Sequence, residues 1–261
     1  MEGSAMRITM MCLRNLLRRR FRTSLCLLGI AIATMFIVGI GATTTRYAAV
    51  IREMNVFFSG DVVVVAKGSF VVQGFPIGGA LQERTVEDVK EVEGVKNAVP
   101  MLFVIASEGF IQPVPLNISI GVPAGNWSVL VGLTPLRPGG TWPSGDLSEK
   151  ETVIGPSLAD QHNFTVGSNI TVKNYELEVK GVLDTRSALL SRVIILPLEL
   201  AQDVYGYNML INMVIVEPDE GVTESKLADR IEEEIGGVRA LTGVERNEMV
   251  EPLLHDIETW N

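Results

Sequence analysis

Leu25 to Ala42 reads L-C-L-L-G-I-A-I-A-T-M-F-I-V-G-I-G-A, eighteen residues without a charge. At 1.5 Å per residue a helix of this length is about 27 Å long, close to the roughly 30 Å hydrocarbon core of a bilayer. Arg14, Arg18, Arg19, Arg20 and Arg22 precede the run, and only Arg46 and Arg52 follow it closely. By the positive-inside rule, Arg18, Arg19, Arg20 and Arg22 set the topology: the N-terminus is expected in the cytoplasm and everything after residue 43 outside. The alternative is a cleaved secretory signal peptide. The run exceeds the roughly 7–15 apolar residues usual there and no A-x-A site follows it, which favours an uncleaved anchor.

Composition agrees with a membrane-tethered chain that has a folded domain. Of 261 residues, 47% are hydrophobic and 20% charged, and the mean hydropathy is +0.28. Those values exclude disorder, collagen and a disulfide-rich miniature scaffold. The net charge of -9 is unevenly divided: residues 1–23 hold six arginines against one glutamate, and the remainder holds 16 basic against 30 acidic side chains, a net of -14. An acidic bulk argues against nucleic-acid binding. Both cysteines, Cys12 and Cys26, fall in the basic head and the span, so no disulfide can staple the external part. Four glycosylation sequons, at Asn117, Asn126, Asn163 and Asn169, all lie on the side expected to be external.

Outward from the span, Tyr47, Val50, Ile51, Met54, Phe57 and Phe58 recur at helical spacing, so the membrane helix is expected to continue as an amphipathic stalk over 43–59. At the far end Val250, Leu253, Leu254, Ile257 and Trp260 repeat that spacing, which predicts a returning stalk over 247–261; two surface helices capping a core would give the same pattern. Between them lie two related blocks. Asp61–Ala66 is a strand run, a helix follows from an N-capping Thr85 to a Gly94 stop, and Asn97–Ala106 is a strand. Ile211–Glu217 is a strand, Thr223 opens a helix with Leu227, Ile231 and Ile235 on one face, and Val238–Leu241 is extended. Two β-α-β units in one α+β layer are expected. The middle, 116–205, holds short strands at Leu116–Val122, Ser128–Leu133, Thr152–Gly155, Asn169–Val172, Tyr175–Leu183 and Val193–Leu196, with two short helices near Pro156–Gln161 and Pro197–Val204. It reads as an inserted β-rich subdomain, and the glycine-rich Gly68–Leu81 as a loop.

Chemistry is sparse. His162 and His255 have no ligand pattern around them, so no metal is expected. Glu232-Glu233-Glu234 reads as the solvated side of a helix. Lys67-Gly-Ser69 lacks the frame of a phosphate loop, and Ser157, Ser187 and Ser191 have no histidine in an elbow-like context. No catalytic residue and no cofactor are expected.

Asn15-Leu-Leu-Arg-Arg-Arg-Phe-Arg22-Thr23, then Leu28-Gly-Ile-Ala-Ile32, resembles the first membrane helix of macrolide-exporter-type ABC transporter permeases, a group that includes the FtsX-like and lipoprotein-releasing permeases. The resemblance continues through Val131-Gly-Leu-Thr-Pro135, Gly139 with Gly145-Asp146, Val153-Ile-Gly-Pro-Ser-Leu-Ala159, Phe164-Thr-Val-Gly-Ser168, Glu178-Val-Lys-Gly-Val182 and Ile195-Leu-Pro-Leu-Glu-Leu-Ala-Gln202. It implies an extracytoplasmic core domain with an α+β porter part, 60–115 and 206–246, around the inserted β-rich part. It also implies a separate ATPase subunit on the cytoplasmic side, a second permease copy or complementary membrane half, and a stalk in which Tyr47, Val50, Ile51 and Met54 form a sliding contact. Such permeases carry three further membrane helices, which this chain lacks before Asn261; a truncated or split permease, or a single-span relative, is therefore expected. The rival readings are a stand-alone anchored ectodomain that binds an external ligand or protein, and an ectoenzyme whose groups assemble from distant positions.

Overall fold

A computed structural model describes residues 20–57, 60–72, 75–106, 117–187, 189–246 and 248. Arg18, Arg19 and nearly all of the expected returning stalk, 247–261, lie outside the described residues. Helix α1 runs Arg20–Phe57, 38 residues, or about 57 Å at 1.5 Å per residue. Its apolar portion, Phe21–Gly39, has a mean hydropathy of 2.0, and none of its residues is buried within the protein. Phe21, Met35 and Ile37 are 90%, 78% and 70% exposed. Leaving such side chains in water forgoes about 1.5–3 kcal/mol for each one that could be buried.

The unit that follows is built on a nine-stranded sheet. Strand β1, Val62–Ala66, is four valines and an alanine. A run of β-branched residues suits an extended, doubly buried position, and all four valines are buried. A two-stranded hairpin follows, β2 (Phe70–Val72) with β3 (Phe75–Ile77), then β4 (Leu81–Gln82) and α2 (Thr85–Glu91), which buries Val86 and Val89. Strand β5 is Val95–Ala106. Past the middle region, β11 (Leu210–Ile211) pairs with β4, and β12 (Met213–Pro218) leads into α6 (Glu224–Glu234) and β13 (Val238–Leu241).

Strands β1, β5, β12 and β13, taken as first to fourth, lie side by side in the order 4-1-3-2, all antiparallel. Each β-α-β unit is thus split by a strand of the other, the ferredoxin-like arrangement. One face carries Val62 and Val64 against Val86, Val89, Leu227 and Ile231. The other carries Val63, Val65, Met101 and Ile215 into a second cluster with Trp127, Leu130, Leu190 and Ile195.

The middle region is fused to this layer rather than hung from it. Strand β5 pairs with β12 from Val95 to Met101 and with β6 (Asn117–Val122) from Leu102 to Ala106. Beyond β6 come β10 (Val193–Pro197, parallel to β6), β7 (Glu151–Ile154), β9 (Tyr175–Val182, parallel to β7) and β8 (Asn169–Val172) at the edge. Helices α4 (Pro156–His162) and α5 (Leu198–Tyr205) stand where proline signals placed them.

Four local expectations are corrected. Ser128–Leu133 is not a strand: Trp127–Val131 forms helix α3, which buries Trp127, Leu130 and Val131 at i, i+3 and i+4. Gly68–Leu81 is not merely a loop but contains β2 and β3. The run Ile211–Glu217 is broken at Asn212, which is buried and turns its amide to the backbone of Phe103. Helix α2 also starts differently from expectation, with Arg84 at the N-cap and Thr85 inside.

Candidate functional site

The first candidate lies where the chain leaves α1 and later heads away from the sheet. Asp61 precedes β1, and Arg246 follows β13. The Arg246 side chain is 2% exposed, and its Nη1 donates to the Asp61 carbonyl oxygen at 3.2 Å. Burial pushes the Asp61 carboxyl up to about 6, helped by Glu217 and Glu224 and opposed by Arg246. Burial also lowers the Arg246 pKa, against the attraction of Glu224 and Asp61.

Residues 243–246 are helical, and the start is fixed by a reciprocal cap. Thr242 Oγ1 accepts from Glu245 N at 3.2 Å, and Glu245 Oε2 accepts from Thr242 N at 2.9 Å. Gly243 N donates to Glu224 Oε2 at 2.8 Å, tying this turn to the first turn of α6. The cluster was not recognised from sequence, although T-x-x-E at Thr242–Glu245 is a readable cap signal.

The second candidate is a groove of about 290 Å³ between α2, the first half of β5, the Pro123–Asn126 turn and the start of α5. Val86, Val99, Pro100 and Leu198 give it an apolar lining, and Glu83, Glu87 and Glu199 an acidic rim. Two of those carboxylates are engaged: Lys90 Nζ donates to Glu87 at 2.9 Å and Gln202 Nε2 to Glu83 at 3.1 Å.

Other residues with potential chemistry make local contacts, and His255 lies outside the described residues. His162 stacks on Phe164 with centroids 5.4 Å apart. Glu232 is not wholly solvated, since its Oε1 accepts from Ala240 N. Lys67 N donates to Gly237 O within the sheet margin, and Ser187 Oγ accepts from Leu190 N at the following turn. Among the described residues no group of three metal-ligating side chains occurs. Of the sequons, Asn163 is exposed in left-handed conformation at the end of α4, and Asn169 is exposed on β8, its amide donating to Glu176. Asn126 is half-buried in the groove, and Asn117 opens β6 with its side chain outside the described part. Arg20 and Arg22 lie in the first turn of α1, with Arg22 exposed. Tyr47, Val50, Ile51 and Met54 lie on its backbone, and their side chains too are outside the described part.

Residues 23–234 match the model of the MacB-like periplasmic core domain. The chain belongs to that family. No curated protein matches it. Among solved structures, the periplasmic region of MacB from Actinobacillus actinomycetemcomitans aligns with a TM-score of 0.53 at 12% identity, covering 74% of this chain and 94% of that one. The extracellular domain of the noncanonic ABC-type transporter YknZ from Gram-positive bacteria aligns with a TM-score of 0.52 at 14% identity, covering 70% of this chain and all of that one. At these identities the neighbours establish the fold alone. The chain thus carries a MacB-like periplasmic core domain together with one helix, Phe21–Gly39, long and apolar enough to cross a membrane.

Proposed function

We propose that this chain is the membrane-anchored permease component of an ABC exporter-type complex, one that passes motion from a separate ATPase to its own extracytoplasmic domain. The observation that carries the reading is the continuity of α1. The helix that holds the apolar span continues unbroken to Phe57, four residues before Asp61. A helix has no joint at which axial or rotational displacement would be lost, so a change at its cytoplasmic end reaches the first turn of the domain.

In this reading the arginine-rich head, with Arg18, Arg19, Arg20 and Arg22, lies in the cytoplasm and the domain lies outside. ATP binding favours one of two packings of the stalk, and Tyr47, Val50, Ile51 and Met54 form the face that slides against a second permease copy or a complementary membrane half. The Asp61–Arg246 contact keeps the entering and departing ends of the domain together while that happens. In this reading the ATPase is a separate subunit on the cytoplasmic side, and this chain supplies the moving membrane part rather than the catalytic one. Porter-like parts at 60–115 and 206–246 transmit the motion, and the inserted part at 116–205 meets the cargo or partner. Exposed Asn163, at the end of α4, is the better glycan acceptor.

A second reading, a stand-alone ectodomain that binds an external ligand, is favoured by the acidic-rimmed groove. One pair of experiments separates the readings. Protease added to intact cells should digest all but a small arginine-rich stub; protection of the large part reverses the topology. Affinity purification in mild detergent should then bring down an ATPase, while the chain alone shows no ATP turnover. Loss of the ATPase under every mild condition gives the case to the second reading.

A further inference from the structure

The nine-stranded sheet ends in β13 on one side and β8 on the other, and the two margins differ. Lys67 N donates to Gly237 O, so odd-numbered residues of β13 bond to β1 and the Ala240 N–H points away from the sheet. That N–H is taken by Glu232 Oε1 at 2.8 Å, and exposed Arg239 adds a charge to the same strand. At the other margin Val179 N donates to Ser168 O at 2.8 Å, and Ile170 and Val172 continue that alternation toward β9. The backbone N–H and C=O groups of Asn169 and Thr171 therefore point outward. Among the described residues β8 pairs with β9 alone. Asn169–Val172 contains no charge, no proline and no register shift, the devices that ordinarily blunt an exposed strand.

We propose that β8 is a docking margin for an extended segment of another polypeptide, added as a tenth strand, in which apolar and basic side chains alternate. The alternation follows from what flanks the strand. On one face Ile170 and Val172 are buried beside Leu177 and Tyr175, so an added strand meets apolar neighbours there. On the other face Asn169 stands opposite Glu178 and Thr171 opposite Glu176. Glu178 shares Lys180 with Glu151, and Glu176 holds the Asn169 amide. A tenth strand lies about 10 Å from β9, two strand spacings. A lysine or arginine stem laid over Asn169 or Thr171 brings its head to those carboxylates. A second copy of this chain is the poorer occupant, since everything beyond residue 23 carries a net of -14 and two such bodies repel. Strand addition supplies main-chain hydrogen bonds for affinity, and the alternating pockets supply selectivity.

The test uses the full chain in detergent micelles and labelled ten-residue peptides. One peptide alternates valine with lysine, a second alternates valine with glutamate, and a third is the lysine peptide N-methylated on alternate residues. The lysine peptide should bind saturably by fluorescence anisotropy and slow amide exchange at Asn169 and Thr171; the other two should bind about tenfold more weakly or not at all. Thr171→Pro deletes an outward N–H that makes no ladder bond, so it should keep the unfolding midpoint and lose about tenfold in affinity. Should that variant not fold, the N-methylated peptide poses the same question on the native chain. Equal binding of the three peptides, absence of binding, or a concentration-dependent dimer that Thr171→Pro abolishes would overturn the proposal.

Discussion

The side-chain amide of Asn212 forms both hydrogen bonds that a neighbouring strand would give Phe103: its Oδ1 accepts from Phe103 N at 2.8 Å and its Nδ2 donates to Phe103 O at 2.6 Å. Phe103 lies two residues past Met101, where pairing to β12 stops, and its partner on the other side is Ile120 of β6. The ladder forks here, and one side chain fills the fork. Replacing Asn212 by alanine strands a buried N–H and a buried C=O at about 1–3 kcal/mol each. Urea unfolding of Asn212→Ala should show a loss of about 2–6 kcal/mol, and a loss under 1 kcal/mol would mean that water or a shifted strand takes over the role.

Gly155 is required by proximity rather than by dihedral freedom. It caps α4 at φ -73°, but a Cβ there would lie 2.3 Å from Leu190 O and 2.5 Å from the Ser191 carbonyl. Gly155→Ala should therefore lower the melting temperature, with overpacking costing about 1–3 kcal/mol. Gly236 has nothing within 4 Å of its added Cβ, and Gly236→Ala is expected to be neutral or stabilising by about 0.4–1 kcal/mol. Equal melting of the two variants would show that the backbone at Leu190 yields.

Asp61 gives the domain a pH signature. Its folded pKa, about 6, stands above the unmodified 3.8, so the native state holds the proton more tightly than the unfolded chain. The favourable contribution is complete below about pH 4 and is lost as pH rises through 6. Asp61→Asn removes the titration and leaves the carbonyl that Arg246 uses. Unfolding midpoints of wild type and Asp61→Asn should diverge between pH 4 and 7, with the variant gaining relative stability; parallel profiles would refute the assignment.

Thr242→Ala breaks the reciprocal cap with Glu245 and should lower stability by about 0.5–2 kcal/mol. Circular dichroism and thermal melts would register the loss. Valine at 242, which keeps the shape and removes the hydroxyl, should behave like alanine; if valine matched threonine, the hydroxyl would be irrelevant.

Much of this molecule was readable because its signals are local. The apolar helix needs only an uncharged run, and the two strand-helix-strand blocks announced two β-α-β units in one α+β layer, though not that each would be split by a strand of the other. The region 127–131 misled because Val129, Leu130 and Val131 form a short apolar run that fits either a strand or a helix. The burial of Trp127, Leu130 and Val131 resolves it as helix, and that spacing was present in the sequence. The hairpin at Phe70–Ile77 was hidden by the glycines around it, Gly68, Gly78 and Gly79. Nothing near Asn212 marks its role, since Phe103 is 109 residues away in the chain. The Asp61–Arg246 cluster escaped for the same reason: burial, not composition, gives those side chains their meaning.

Strand β5 belongs to both halves of the sheet, and that has a mechanical meaning. An extended chain already advances about 3.3 Å per residue and has almost no slack left to give. Tension entering at Val95 must therefore emerge at Ala106 as travel, with the rungs on both flanks dragged in step. A stroke delivered to one half is handed to the other through an inextensible tie-rod, with no elbow in between to swallow it.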